Sequence, residues 1–135
     1  MKYMLDTNIC IYAIKNKPIS VIENIKIHDN EGLCISAITL AELRLGVEKS
    51  VSKARNEEAL FKFLSIFRIL HFDDFAALEY GKICAKLQKK GIPIGPFDTL
   101  IAAHAKSLSL TLVTNNIREF ERVDGIKLED WSIDN

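Results

Sequence analysis

The chain has 135 residues, of which 48% are hydrophobic and 27% charged, as in ordinary globular domains. Its 18 basic and 18 acidic residues cancel, which excludes a generally basic nucleic-acid-binding surface and leaves only local patches for such contacts. No apolar run approaches the roughly 20 residues of a membrane span and no signal peptide is evident, so we expect one cytoplasmic domain over residues 1–135.

The apolar residues predict strands that alternate with one or two helices. Each predicted strand is a continuous apolar run, as in a parallel sheet covered on both faces, and several predicted helices carry an apolar stripe. This order favours an α/β fold with a central parallel sheet of about four to five strands between layers of helices. The strands fall at residues 3–5, 33–36, 68–72, 110–113 and 126–128, and helices begin near residues 9, 18, 39, 53, 74 and 97.

The helix predicted from about Lys53 has a wider apolar surface than one core needs. Beyond the stripe that includes Leu60 and Phe63, it carries Phe61 and Ile66. Either this helix faces a partner or it is fully buried.

Four acidic residues lie near predicted strand ends or helix starts. Asp6 ends the first strand, Glu42 follows the second, Asp98 begins a helix and Glu119 follows the fourth strand. The carboxyl ends of parallel strands and the starts of the helices that follow them share one edge of the sheet, where such folds bind ligands. We therefore expect these acids to converge there, although the helix of Asp98 follows another helix.

Each acid also has a structural interpretation. Thr39 and Glu42 have the spacing of a capping box, in which Glu42 bonds back to the Thr39 amide. Asp6 could cap a helix through Asn8, and the helix dipole would favour Asp98 in a first turn. The fourth acid could be a solvated surface residue.

Joint placement favours a metal site over these separate interpretations. Two carboxylates 4 Å apart repel by roughly 1 kcal/mol even in a water-like dielectric, so a cluster of them requires protons or a cation. A set of oxygen ligands without histidine or cysteine suits Mg²⁺ or Mn²⁺ and does not suit Zn²⁺. We interpret the cysteines and histidines as structural or surface residues: Cys10, Cys34, Cys84, His28, His71 and His104.

Five segments form a pattern that is specific as a set and runs the length of the chain. They are residues 4–8, residues 38–43 with Gly46, residues 94–105, residues 113–120, and residues 129–131. At these segments the sequence resembles the PIN-domain family, and more narrowly its VapC-type toxin ribonucleases of type II toxin–antitoxin pairs. The resemblance implies a PIN-like three-layer fold.

The resemblance further implies that Asp6, Glu42 and Asp98 are catalytic acids that bind Mg²⁺ or Mn²⁺. Many PIN domains have a fourth aspartate at the position of Asn116, whereas the closer toxin branch has an acid at the position of Glu119. We therefore expect Glu119 to be the fourth acid. The expected supporting residues are Thr7, Asn8, Thr114 and Asn116.

These features predict a metal-dependent endoribonuclease, in which bound ions activate water for attack on a phosphodiester. The resemblance also implies a homodimer, a cognate VapB-type antitoxin whose C-terminal segment occupies the cleft, and a structured RNA substrate, particularly tRNA. Candidate RNA contacts at the rim are Lys15, Lys17, Arg44 and Arg118.

Two other classes of protein fit part of the pattern. A non-catalytic PIN-like binding module would be favoured by loss of a core acid, but all three are present. A receiver-like signalling domain could use Asp73 as phosphoacceptor, but it would need a lysine near the last strand, where residues 129–131 offer none.

Overall fold

A computed structural model describes residues 1–133, so the last two residues of the expected domain lie outside the described part. Within that part there are five strands and seven α-helices. The strands are β1 (Tyr3–Leu5), β2 (Leu33–Ser36), β3 (Arg68–Leu70), β4 (Thr111–Val113) and β5 (Lys127–Glu129). The helices are α1 (Thr7–Lys15), α2 (Ile19–His28), α3 (Ala37–Lys49), α4 (Lys53–Leu64), α5 (Asp74–Lys89), α6 (Pro96–Ser107) and α7 (Ile117–Phe120).

The five strands form one parallel sheet in the order β3-β2-β1-β4-β5. Strand β1 is central, with Met4 paired to Cys34 of β2 and to Leu112 of β4. All five strands therefore end at the same edge of the sheet, which confirms the predicted α/β architecture.

Helices cover both faces of the sheet. Tyr3 and Leu5 point into a core formed with α1 to α4, whereas Met4 points into a second core formed with α5, α6 and Phe120 of α7. Because successive side chains of a strand point to opposite faces, burial on both faces requires the continuous apolar runs seen in the sequence.

Several predicted boundaries were wrong by one or two residues. The third strand ends at Leu70 rather than at residue 72, because the chain leaves this edge strand to let Asp73 cap α5. The fourth and fifth strands begin at Thr111 and Lys127, each one residue later than predicted. None of these shifts changes the order of the elements.

Helix α4 is not fully buried. Leu60 and Phe63 pack in the core, whereas Phe61 and Ile66 are 76% and 52% exposed, so the buried-helix alternative was wrong. Within residues 1–133, no helix combines the length and apolar character that crossing a bilayer would require.

The cysteines and the tryptophan are distributed over both layers. Cys10 and Cys34 are buried, and burial raises the pKa of the Cys34 thiol to about 12, whereas Cys84 on α5 is partly exposed. Trp131 lies in the layer that contains α1 to α4, where its indole stacks on His28 with ring centroids 4.7 Å apart.

Candidate active site at the carboxyl edge of the sheet

Asp6 is buried where β1 turns into α1. Its Oδ1 accepts a hydrogen bond from the Ile9 amide at 3.0 Å, and the Thr114 hydroxyl bonds to the same carboxylate. Asp6 thus caps α1, but through Ile9 and not through Asn8, whose side chain is exposed. The capping bond uses Oδ1 of the carboxylate. Asp6 therefore remains at the edge where the strands end.

Glu42 is held by the first residue of α1. The Thr7 hydroxyl donates to Glu42 Oε1 at 2.6 Å and lies 3.3 Å from the Thr39 hydroxyl. The capping-box interpretation of Glu42 was wrong, because α3 begins at Ala37 and its N-cap is Ser36, whose Oγ accepts from the Ile38 amide. The Glu42 carboxylate therefore faces the start of α1 and not its own helix end.

Asp98 lies in the first turn of α6, where the helix dipole favours a negative charge. Gly95 is the N-cap and makes no side-chain bond, so Asp98 is not needed as a cap. The carboxylate is partly buried and interacts electrostatically with Glu42 and Glu119. The helix that follows another helix thus also brings its acid to this edge.

Glu119 is fixed by hydrogen bonds from both sides. Asn116 Nδ2 donates to Glu119 Oε2 at 2.6 Å, and the Gly95 amide donates to Oε1 at 3.3 Å. The Asn116 amide in turn donates to the Thr114 hydroxyl, which bonds to Asp6. Asn116 therefore orients Glu119, the expected fourth acid.

The raised pKa values of Asp6 and Asp98 link the four acids. Burial raises the pKa of Asp6 to about 6, and the charges of Asp98 and Glu42 add to this effect against the hydrogen bonds from Thr114 and Ile9. Burial also raises the pKa of Asp98 to about 6, with further contributions from Glu119 and Glu42. Each acid is thus linked electrostatically to at least one other, as expected of acids that share a cleft.

The donor set suits a hard divalent cation. All four side chains offer oxygen, and the repulsion among them is the kind that a cation relieves. Among residues 1–133, no three histidine, cysteine or acidic side chains lie close enough together to coordinate one ion directly. Mg²⁺ usually keeps several waters and binds through one or two carboxylates, so a tight cluster of three is not required.

The expected basic residues differ in their availability. The Arg44 guanidinium forms two hydrogen bonds with the Glu57 carboxylate, at 2.6 and 2.9 Å, which satisfies its charge. Lys15 lines a groove of about 330 Å³ together with Glu42. Lys17 and Arg118 are exposed.

A buried network that sequence reasoning missed connects the helices of two acids. Neutral His104 of α6 hydrogen-bonds through Nδ1 to Ser36 Oγ at 2.8 Å, and it also bonds to the His71 backbone. Burial lowers the pKa of His104. Ser36 caps the helix of Glu42, and His104 lies on the helix of Asp98, so this bond fixes the two helices relative to each other. No local pattern signals a contact between residues 68 positions apart.

Comparisons with known proteins show the family of this chain. Residues 3–126 match the model of the PIN domain. The chain is 51% identical over 132 residues to the tRNA(fMet)-specific endonuclease VapC of Shigella flexneri, covering 98% of this chain and 99% of that protein.

Solved structures show the same fold. VapBC2 of Rickettsia felis, bound to a DNA fragment from their promoter, matches with a TM-score of 0.93 and 45% identity over 97% of this chain and 99% of that chain. DNA-bound VapBC of Salmonella typhimurium matches with a TM-score of 0.92 and 49% identity over 97% and 98%. The chain therefore belongs to the PIN-domain family, and within it to the VapC ribonuclease toxins of VapBC toxin–antitoxin systems.

Proposed function

We propose that this protein is a Mg²⁺- or Mn²⁺-dependent endoribonuclease whose catalytic acids are Asp6, Glu42, Asp98 and Glu119. The observation that carries the proposal is that burial and neighbouring acids raise the pKa of Asp6 and of Asp98 at the carboxyl edge of the sheet. Glu42 acts on both, Asp98 acts on Asp6, and Glu119 acts on Asp98. Carboxylates that lie close together repel one another, which lowers the free energy of unfolding. A role in stability therefore does not explain their placement.

The side chains have separate roles in this proposal. Asp6 and Asp98 hold the cation, and Glu42 and Glu119 support it directly or through water. Thr7 and Asn116 fix the orientation of Glu42 and Glu119 through the hydrogen bonds described above. A bound divalent cation supplies charge that polarises a phosphodiester and lowers the pKa of water.

A tRNA is the proposed substrate class. The Shigella flexneri relative is named a tRNA(fMet)-specific endonuclease, and the identity of 51% extends over almost the whole of both chains. Such a substrate would place the protein in the cytoplasm.

A cognate antitoxin and a second copy of the chain are the proposed protein partners. The groove beside Glu42 includes Ile11, Ile14 and Leu43 in its lining, and these apolar side chains suit an apolar antitoxin segment. A second apolar depression of about 310 Å³ includes Leu45 and Phe97, which are 58% and 52% exposed. We assign it to the homodimer interface.

The test is cleavage of a tRNA(fMet) transcript by the antitoxin-free protein with Mg²⁺, with Mn²⁺ or with a chelator. The loss of a cation ligand in Asp98→Asn should lower the rate of cleavage by about 100-fold or more. Each tenfold change in rate corresponds to about 1.4 kcal/mol of activation free energy. The matched control is Asp73→Asn, which makes the same replacement at the cap of α5. Circular dichroism checks that both variants keep the fold.

Two results would contradict the proposal. Wild-type protein that cleaves no RNA with either metal would favour the non-catalytic binding module. Cleavage by Asp98→Asn at the wild-type rate would remove Asp98 from the site.

A further inference from the structure

A basic groove lies on the α5–α6 side of the sheet. It has a volume of about 310 Å³ and runs between α5, α6 and the segment that follows α7. Four cations and two acids line it, so positive charge dominates although the whole chain has no net charge. The charged residues of its lining are Lys82, Lys86, Lys106, Arg122, Glu79 and Asp124.

Most cations of the groove do not pair with a separate carboxylate. Lys86 pairs with Asp124, whose pKa it lowers, and Lys90 lies 3.9 Å from the same carboxylate. Lys106 and Arg122 donate instead to backbone oxygens, Lys106 Nζ to Asp124 at 2.6 Å and Arg122 Nη1 to Pro93 at 3.1 Å. A single aspartate thus faces several cations.

Two cations of α5 and Lys90, which directly follows the last residue of that helix, form one stripe. Lys82, Lys86 and Lys90 are spaced at four residues, which places successive side chains about 5–6 Å apart on one side of a helix. The stripe extends over about 12 Å along the axis of α5. A row of cations on this scale matches an extended polyanion better than a single small anion.

The segment from Pro93 to Gly95 links the groove to the acid cleft through its hydrogen bonds. Arg122 bonds to Pro93, and Gly95, two residues further on, donates its amide to Glu119. The chain from Lys90 to Gly95 has five residue steps, which limits the separation of their Cα atoms to about 18 Å. Arg118, which is exposed, lies directly before Glu119 and four residues before Arg122.

We propose that this basic groove, lined by Lys82, Lys86, Lys106 and Arg122 and flanked by Lys90, binds the phosphate backbone of the RNA outside the cleft. The inference rests on the proposed ribonuclease function and adds a second contact surface to it. Such contacts position a substrate and increase affinity without reading its sequence.

The test compares two triple variants with equal change in charge. The groove variant carries Lys82→Gln, Lys90→Gln and Arg122→Gln. The control variant carries Lys26→Gln, Lys53→Gln and Lys62→Gln on α2 and α4, in the layer on the opposite face of the sheet. Binding of a tRNA(fMet) transcript is measured at several salt concentrations with Asp98→Asn added to every protein, and cleavage is measured without that change.

We expect the groove variant to bind tRNA at least about tenfold more weakly than the control variant at low salt. The slope of log K against log salt should decrease in magnitude by about 0.7 to 0.9 for each phosphate that the groove variant no longer neutralises. In the cleavage assay KM should rise while kcat stays near the wild-type value, because the groove does not touch the reacting atoms.

Equal tRNA binding by the groove and control variants would overturn the inference and leave the groove as a surface for an acidic protein. The binding measurement is independent of catalysis. Weakened binding therefore supports the groove even if the wild-type protein fails to cleave, which would contradict the proposed function alone.

Discussion

At the scale of single residues, Asp6 combines a structural role with the proposed role in binding a cation. Its carboxylate caps α1 through Ile9 and is also buried among other acids. Asp98 differs, because Gly95 occupies the cap position and Asp98 is partly exposed in the first turn. Asp98 is therefore the better residue for separating the chemistry of the site from the stability of the fold.

The raised carboxylate pKa values predict a pH-dependent stability. The pKa of Asp98 rises from 3.8 to about 6 in the folded protein, so the folded state binds more protons than the unfolded state between these values. The free energy of unfolding should therefore fall as pH rises from about 4 to 6 and remain reduced above pH 6. Asp6, with its pKa also near 6, acts in the same direction.

The variant Asp98→Asn tests this effect by urea denaturation. Without metal at pH 7.5 it should be more stable than wild type by roughly 1 to 2 kcal/mol, after allowance for solvent screening of a partly exposed group. The difference should shrink toward zero at pH 4.5. A stability gain that does not depend on pH would show that charge repulsion is not its cause.

Added Mg²⁺ or Mn²⁺ should offset the loss of stability that repulsion among the carboxylates causes in the wild type. A ligand at 100 times its dissociation constant stabilises the folded state by about 2.7 kcal/mol, so the thermal midpoint at pH 7.5 should rise with metal concentration. The rise should be smaller at pH 5, where protons compete for the carboxylates, and smaller in Asp98→Asn. An equal rise in both proteins would place the ion elsewhere.

The variant Asn116→Ala tests whether function is lost while all four acids remain in place. Removing the bond from Asn116 to Glu119 should reduce metal affinity or tRNA cleavage by about 10- to 100-fold, the usual effect of removing a hydrogen bond that orients a ligand. Asn24→Ala is the matched control, because the Asn24 side chain donates to the Ser20 carbonyl within α2, away from the acids. Unchanged activity in Asn116→Ala would mean that Glu119 needs no such support.

At the scale of elements, α3 depends on one serine at its start. Ser36 caps the helix and also bonds to buried His104. Ser36→Ala should lower the free energy of unfolding by about 1 to 3 kcal/mol, since it removes a cap and leaves a buried ring nitrogen unpaired. Ser52→Ala is the control, because Ser52 occupies the N-cap position of α4 without a side-chain bond. Equal losses in the two variants would contradict the specific role of Ser36.

The elements themselves were largely predictable from the sequence. Burial on both faces produces continuous apolar runs, and Asp73 and Pro96 provide clear helix starts. The start of α3 was less predictable, because Ser36 and Thr39 are both good caps and only the packing of His104 on Ser36 distinguishes them. Local patterns do not contain that information.

At the scale of the whole molecule, the sequence predicted the edge of the sheet at which the candidate acids lie but not what surrounds them. Asp6, Glu42, Asp98 and Glu119 could be assembled because strand ends and family motifs both place them at one edge. The pairing of Arg44 with Glu57 and the cations around Asp124 depend on contacts between distant segments. The composition of the whole chain gives a net charge of zero and therefore does not reveal such local clusters.

The positions of the thiols and of the tryptophan make this chain suitable for spectroscopy without mutation. Two of the three cysteines are buried, so an alkylating dye should react first at Cys84 on α5. The single indole, Trp131, lies in the layer on the other face of the sheet. A dye on Cys84 and the native indole therefore form one donor–acceptor pair across the sheet, which reports separation of the two layers during unfolding.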